Sequence, residues 1–185
     1  MSGHPCCHVL VTGVAGSGKT TVASAVGAIL GFEVIEGDAY HPAANVEKMR
    51  AGIPLSDEDR QPWLVTLAAL IAQEHAHGRG TILACSALRR RYRDILRAAA
   101  PIDEIVFLML EVDEARLRAR MSERQGHYMP VSLLESQLAT LEPLEADERG
   151  AVIDASRPLD AVVADALGAI RRATSAGHGT LPAGR

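Results

Sequence analysis

The sequence predicts an α/β domain whose parallel sheet is covered by helices on both faces. Three observations lead there. Short apolar runs alternate with segments of helical period, a glycine-rich phosphate loop joins the first run to the first helical segment, and 185 residues suit one domain with a sizeable core. Such alternation favours parallel pairing, because each parallel crossover is most readily made by a helix. With 48% hydrophobic, 23% charged and 3% aromatic residues, the core must be built mainly from Ala, Val, Leu and Ile.

The first strand is expected at His8 to Thr12, after a tail of residues 1–7. Within that tail, His4-Pro5-Cys6-Cys7-His8 is too compressed to hold one tetrahedral zinc, and no second ligand pair follows it. It is read as a lead into the strand. Cys6, Cys7 and Cys85 are odd in number and two are adjacent, a poor disulfide framework, so all three are expected as thiols. Cys85 should lie far from Cys7, at the opposite end of its strand.

The strand runs into Gly13-Val14-Ala15-Gly16-Ser17-Gly18-Lys19-Thr20, a complete Walker A pattern placed between an apolar strand and an amphipathic helix. Glycines there let backbone N–H groups converge on phosphates, and the positive end of the following helix adds to the field. Lys19 should reach the β- and γ-phosphates and the Thr20 hydroxyl should ligate Mg²⁺, with Thr21 completing the nucleotide-binding set. A nucleoside triphosphate with Mg²⁺ is what this predicts. The loop alone leaves open whether the phosphoryl group goes to water, a protein or a small molecule. Val22, Val26, Ile29 and Leu30 then mark one face of the first helix.

The second strand, Glu33 to Glu36, leads into Glu36-Gly37-Asp38-Ala39-Tyr40-His41-Pro42. Ligands of open α/β sheets bind at such strand ends. Alternation along an extended segment would put Glu36 and Asp38 on one side, Glu36 supporting the metal and Asp38 accepting a proton from an attacking hydroxyl. Helix capping and loop solvation form the competing reading of both acids. Pro42 suits a helix start, and Leu64, Leu67, Leu70 and Ile71 mark the buried face of the next long helix.

The third strand, Thr81 to Cys85, should lie beside the phosphate loop, with Ser86 and Arg89 just beyond its end. It carries no terminal Asp, which shifts support of the metal toward Glu36 and Asp38. Cys85 is read as a small buried apolar residue. A fourth strand covers Ile105 to Leu110. After it Arg116, Arg118, Arg120 and Arg124 lead toward His127, and a lid of arginines over about 120–135 would neutralise charge on the transferred group. A solvated basic face accounts for two of the four, leaving Arg120 and Arg124 as catalytic candidates. The fifth strand, Ala151 to Asp154, precedes a helix marked by Val163, Ala166, Leu167 and Ile170. The domain is expected over 8–174, followed by a flexible tail of 175–185.

Several stretches together resemble the gluconokinase family. They are Gly13 to Thr20; Gly37-Asp38 with Tyr40-His41-Pro42, Asn45, Lys48 and Met49; Gly52 to Leu55 with Asp57, Asp59, Arg60, Pro62 and Trp63; Ala84 to Leu88 with Tyr92-Arg93-Asp94; Gly126-His127 with Met129-Pro130; and Gln137 with Thr140 to Pro143. The resemblance runs from about Val9 to Ile170. It implies the P-loop nucleoside-triphosphate hydrolase fold of nucleotide and shikimate kinases, with strand order 2-3-1-4-5 and a mobile lid. It also implies transfer of the γ-phosphoryl of ATP to the 6-hydroxyl of D-gluconate, and commonly a homodimer.

A linear polyhydroxy carboxylate calls for an arginine on its carboxylate and polar groups on its hydroxyls. Arg60 and Arg89 are the carboxylate candidates, with Asp38, His41, Ser86 and His127 completing the substrate set. Glu36 departs from the Asp common in relatives, and Arg89-Arg90 from the usual Lys. Alternatives are another small acceptor, such as shikimate or a different sugar acid, and a non-catalytic nucleotide-sensing module. A net charge of −4 argues against nucleic acid, and the absence of a long apolar run argues against a membrane partner. With no signal-peptide pattern, a cytoplasmic address is expected.

Overall fold

The computed structural model describes residues 7–123 and 132–176. Five strands, β1 (His8–Thr12), β2 (Glu33–Glu36), β3 (Thr81–Ala84), β4 (Ile105–Glu111) and β5 (Gly150–Asp154), form one parallel sheet of order β2-β3-β1-β4-β5. The order matches the expectation, and every strand lies within a residue of its predicted bounds. β1, β3 and β4 read as near-continuous apolar runs because helices cover both their faces.

Among the described residues, six helices lie between the strands, α1 (Lys19–Leu30), α2 (Ala43–Arg50), α3 (Asp57–Ala76), α4 (Arg90–Arg97), α5 (Glu114–Glu123) and α6 (Ser132–Thr140), and α7 (Leu159–Ala176) follows β5. Alternation along β1 divides the core. Val9 and Val11 pack with Val22 and Val26 of α1 and with Val162, Ala166 and Ile170 of α7. Leu10 faces the other way, onto Trp63, Leu64, Leu67 and Ile71 of α3 and onto Tyr92 and Leu96 of α4. Ile29 departs from its expected burial and is 60% exposed. The buried stripe of α1 is narrower than the apolar pattern, resting on Val22, Ala23, Val26 and Gly27.

Parallel register brings the C-terminal ends of β1, β2 and β3 to one edge, with β3 lying between β1 and β2. The Cys85 amide continues the ladder onto the Val11 carbonyl at 3.1 Å. Cys7 and Cys85 are both buried thiols, near opposite ends of the sheet as expected. Burial pushes the Cys85 thiol up to about 12, which makes it inert.

The basic run beginning at Arg89 forms α4, and its charges are matched internally. Arg93 is fully buried, pairing with Glu148 at 2.6 Å and donating to the carbonyls of Leu88, Glu142 and Pro143. Arg90 spans Asp94, Glu145 and Asp147. These bonds tie the segment after α6 to α4.

Candidate active site

The phosphate loop begins where β1 ends. Gly13 sits at φ 140°, and a methyl group there would lie 2.8 Å from the Leu110 carbonyl oxygen and 2.9 Å from Ser17 Oγ, so the position requires glycine. The loop then opens α1, whose first-turn amides point outward without intrahelical acceptors. Lys19 Nζ donates to the Val14 carbonyl at 3.1 Å, so the ammonium curls across the loop. Ser17 Oγ is buried and has no hydrogen-bond partner among the described residues. A glycine-lined cradle with an orphaned hydroxyl, a lysine and a helix N-terminus has the donor set that a triphosphate needs.

Thr20 Oγ1 donates to Glu36 Oε2 at 2.6 Å. The hydroxyl and carboxylate expected to support a metal therefore meet, one from α1 and one from the end of β2. Hard oxygen donors of this kind suit Mg²⁺, which keeps most of its own waters.

A cavity of about 370 Å³ lies on the outer side of the loop, lined by Gly16, Ser17, Gly18, Thr21 and Arg120. The Arg120 guanidinium donates to the Ala155 carbonyl at 2.9 Å and approaches the Gly16 carbonyl at 3.4 Å. It thus forms a wall of this cavity. Arg116 and Arg118 are exposed and paired with Asp113, Glu114 and Glu135. Arg124 and His127, with residues 124–131 of the expected lid, lie outside the described residues.

A second cleft gathers Asp38, His41, Arg60 and Ser86, four of the predicted substrate residues, with Trp63 and Gln137. The route of Asp38 into it differs from the extended alternation expected. The chain leaves the extended conformation after Glu36 and enters a 3₁₀ turn, Gly37–Tyr40. Glu36 goes to Thr20 while Asp38 lines the cleft. Gly37 makes the turn possible, because a methyl group there would lie 2.8 Å from both the Ala84 carbonyl oxygen and Cys85 Cβ.

The Trp63 indole fastens the turn to α3 by donating to the Gly37 carbonyl at 2.8 Å, and His41 stacks on Trp63 with ring centroids 4.2 Å apart. Burial lowers the His41 pKa from 6.5 to about 4, opposed by the Asp38 charge and reinforced by Arg60. His41 is therefore neutral near pH 7. The Arg60 guanidinium donates to the Leu55 carbonyl and lies 5.6 Å from the centre of the Tyr92 ring.

Arg89 does not join this cleft. It pairs with Asp57 at 3.3 Å, and Asp57 also receives Arg91 and the Tyr92 hydroxyl. Asp57 stands in the first turn of α3, where a helix favours an acid, and its carboxylate accepts all three donors.

Sequence reasoning assigned no role to Gln137 or Trp63. Gln137, 8% exposed, accepts the Ala15 amide proton at 2.7 Å and also lines the acceptor cleft, so one α6 side chain touches both halves of the site. Gln137 and Trp63 both stand in stretches that carry the family resemblance, yet neither periodicity nor spacing gives Gln137 a role. Trp63 could have been suspected as the sole tryptophan of an aromatic-poor chain.

A phosphate loop facing a polar cleft at the carboxyl edge of a five-stranded parallel sheet defines a P-loop kinase of small molecules. The family model described as an AAA domain matches residues 9–144. The chain is 46% identical over 143 residues to the thermosensitive gluconokinase of Escherichia coli K12, covering 77% of this chain and 75% of the relative. It is 48% identical over 141 residues to a gluconokinase of Gluconobacter oxydans, covering 76% and 78%. A gluconokinase structure from Sinorhizobium meliloti 1021 superposes with a TM-score of 0.84 at 41% identity, covering 94% of this chain and 96% of that one. The chain belongs to the gluconokinase family.

Two outcomes are expected from this geometry. Gln137→Ala removes the acceptor of a partly buried amide, a loss of about 1–3 kcal/mol, and should lower kcat/KM by roughly tenfold or more. Gln137→Glu keeps an oxygen but adds charge beside the phosphates, so it should weaken ATP binding further than Ala does; equal KM for ATP in both variants contradicts the contact. For His41, a folded pKa of about 4 below the unfolded 6.5 means its contribution is whole above pH 6.5 and lost as pH falls toward 4. His41→Asn should flatten the fall in urea midpoint between those limits, and an unchanged profile contradicts the assignment.

Proposed function

We propose that this protein transfers the γ-phosphoryl group of ATP to the 6-hydroxyl of D-gluconate, giving 6-phosphogluconate and ADP for sugar-acid catabolism. The observation carrying this reading is that Asp38, His41, Arg60 and Ser86 share one cleft next to the phosphate loop, joined to it by Gln137. Family membership supports gluconate as the acceptor.

In this reading the loop amides and Lys19 hold the triphosphate, and Arg120 holds its nucleotide side. Arg60 takes the substrate carboxylate, since a planar fork matches a carboxylate bidentately. His41 and Ser86 orient the hydroxyls, neutral His41 offering one nitrogen as donor and one as acceptor. The substrate oxygen bonds to the γ-phosphorus as the bond to the ADP oxygen breaks, and Asp38 receives the hydroxyl proton. Thr20 and Glu36 would hold Mg²⁺, directly or through its waters, and the ion would neutralise charge on the phosphates. Arg124 and His127 are proposed to act from the lid. The family resemblance further supports a homodimer, a cytoplasmic address is proposed with it, and the described helices include none long and apolar enough to cross a membrane.

With ATP, Mg²⁺ and gluconate, coupled 6-phosphogluconate dehydrogenase should reduce NADP. Asp38→Asn should lower kcat by about 10²–10⁴ with ATP binding retained. Absence of product across a sugar-acid panel that includes gluconate rejects the acceptor, and unchanged turnover in the variant removes Asp38 from its role.

A further inference from the structure

We propose that His8, His75 and Glu104 form a divalent transition-metal site at the end of the sheet opposite the phosphate loop. The three residues come from separate elements that the topology brings together. His8 opens β1, His75 lies in the last turn of α3, and Glu104 ends a short 3₁₀ turn immediately before β4. Register places His8 beside Thr81 of β3 on one side and Ile105 of β4 on the other, so Glu104 directly precedes a neighbour of His8.

One ligand atom from each residue lies within 4.8 Å of the other two. His75 Nδ1 stands 3.1 Å from Glu104 Oε2, yet that buried oxygen has no hydrogen-bond partner among the described residues. The two atoms stand at ion-pair distance, a contact that holds the acid beside the ring. Two ligands of one tetrahedral zinc, each bonded at about 2.0–2.1 Å, stand about 3.3 Å apart, which is close to the spacing seen.

The surroundings supply what a metal-binding imidazole needs. Thr81 Oγ1 lies 2.9 Å from His8 Nδ1, and a hydroxyl partner of this kind fixes the orientation of a metal-binding ring. Two imidazoles and one carboxylate suit Zn²⁺, Co²⁺ or Ni²⁺ better than Mg²⁺ or Ca²⁺, which prefer all-oxygen sets. His75 and Glu104 are each about a third exposed, at 31% and 28%, leaving water a path to a fourth position.

The compressed His4 to His8 run has too few well-spaced ligands of its own, and the partners of His8 stand far along the chain. An ion here would clamp the C-terminal turn of α3 to the sheet. The N-terminal half of the same helix carries Arg60 and Trp63, so the clamp would stabilise the acceptor wall while lying away from the chemistry.

The metal-stripped full chain, saturated with ADP and Mg²⁺ to occupy the phosphate loop, is titrated with Co²⁺ and separately with Zn²⁺. One Co²⁺ per chain with the visible absorption of a low-coordinate nitrogen and oxygen site, and a Zn²⁺-dependent rise in Tm, are expected. His75→Ala and Glu104→Gln alter partly exposed positions, and metal-free circular dichroism checks that both fold. Each should bind Co²⁺ at least about tenfold more weakly and lose the Tm rise. Absence of stoichiometric binding, or equal binding by the parent chain and both folded variants, overturns the proposal.

Discussion

The Gly37 carbonyl accepts the Trp63 indole proton while its α-carbon lies against Ala84 and Cys85, and this packing decides where Asp38 can be. A side chain at position 37 would push the 3₁₀ turn off the end of β3. Without the indole bond, the turn would lose its tie to α3. Both contacts fall where β2 ends, at the edge to which parallel register has already delivered the phosphate loop. The cleft that Asp38 lines is therefore positioned by backbone packing, and His41 and Arg60 share it.

The two halves are also linked from the other side. α6 presents Gln137 to the Ala15 amide and to the acceptor cleft, and the segment following α6 is tied to α4 through buried Arg93 and Glu148. Breaking a buried pair of this kind leaves an uncompensated charge, commonly a loss of about 3–5 kcal/mol. Charge in this region thus serves placement: the basic run from Arg89 to Arg97, conspicuous in the sequence, is matched by Asp57, Asp94, Asp147 and Glu148.

The fold was largely legible in the sequence because buried parallel strands read as unbroken apolar runs and the phosphate loop marks the first strand-to-helix junction. Glu36 and Thr20 were legible as partners for the same reason: both lie at ends the topology must bring together. Arg89 was not, since pairing with Asp57 depends on an α3 N-terminus whose place sequence alone does not give. Asp38 was identified through a pleat that ends before reaching it, so the residue was legible and its route was not. Gln137 shows the general limit, because a single side chain bridging distant elements leaves no periodicity or spacing to read.

The account stands on Asp38 facing the transferred phosphoryl group across the cleft. A crystal structure with gluconate and a non-hydrolysable ATP analogue tests this most directly. The account predicts an Asp38 carboxylate oxygen within hydrogen-bond distance of the gluconate 6-hydroxyl, with that hydroxyl oxygen in line with the γ-phosphorus and Arg60 on the carboxylate. A bound 6-hydroxyl aimed at the γ-phosphorus but held by another base, with Asp38 turned away, would contradict it.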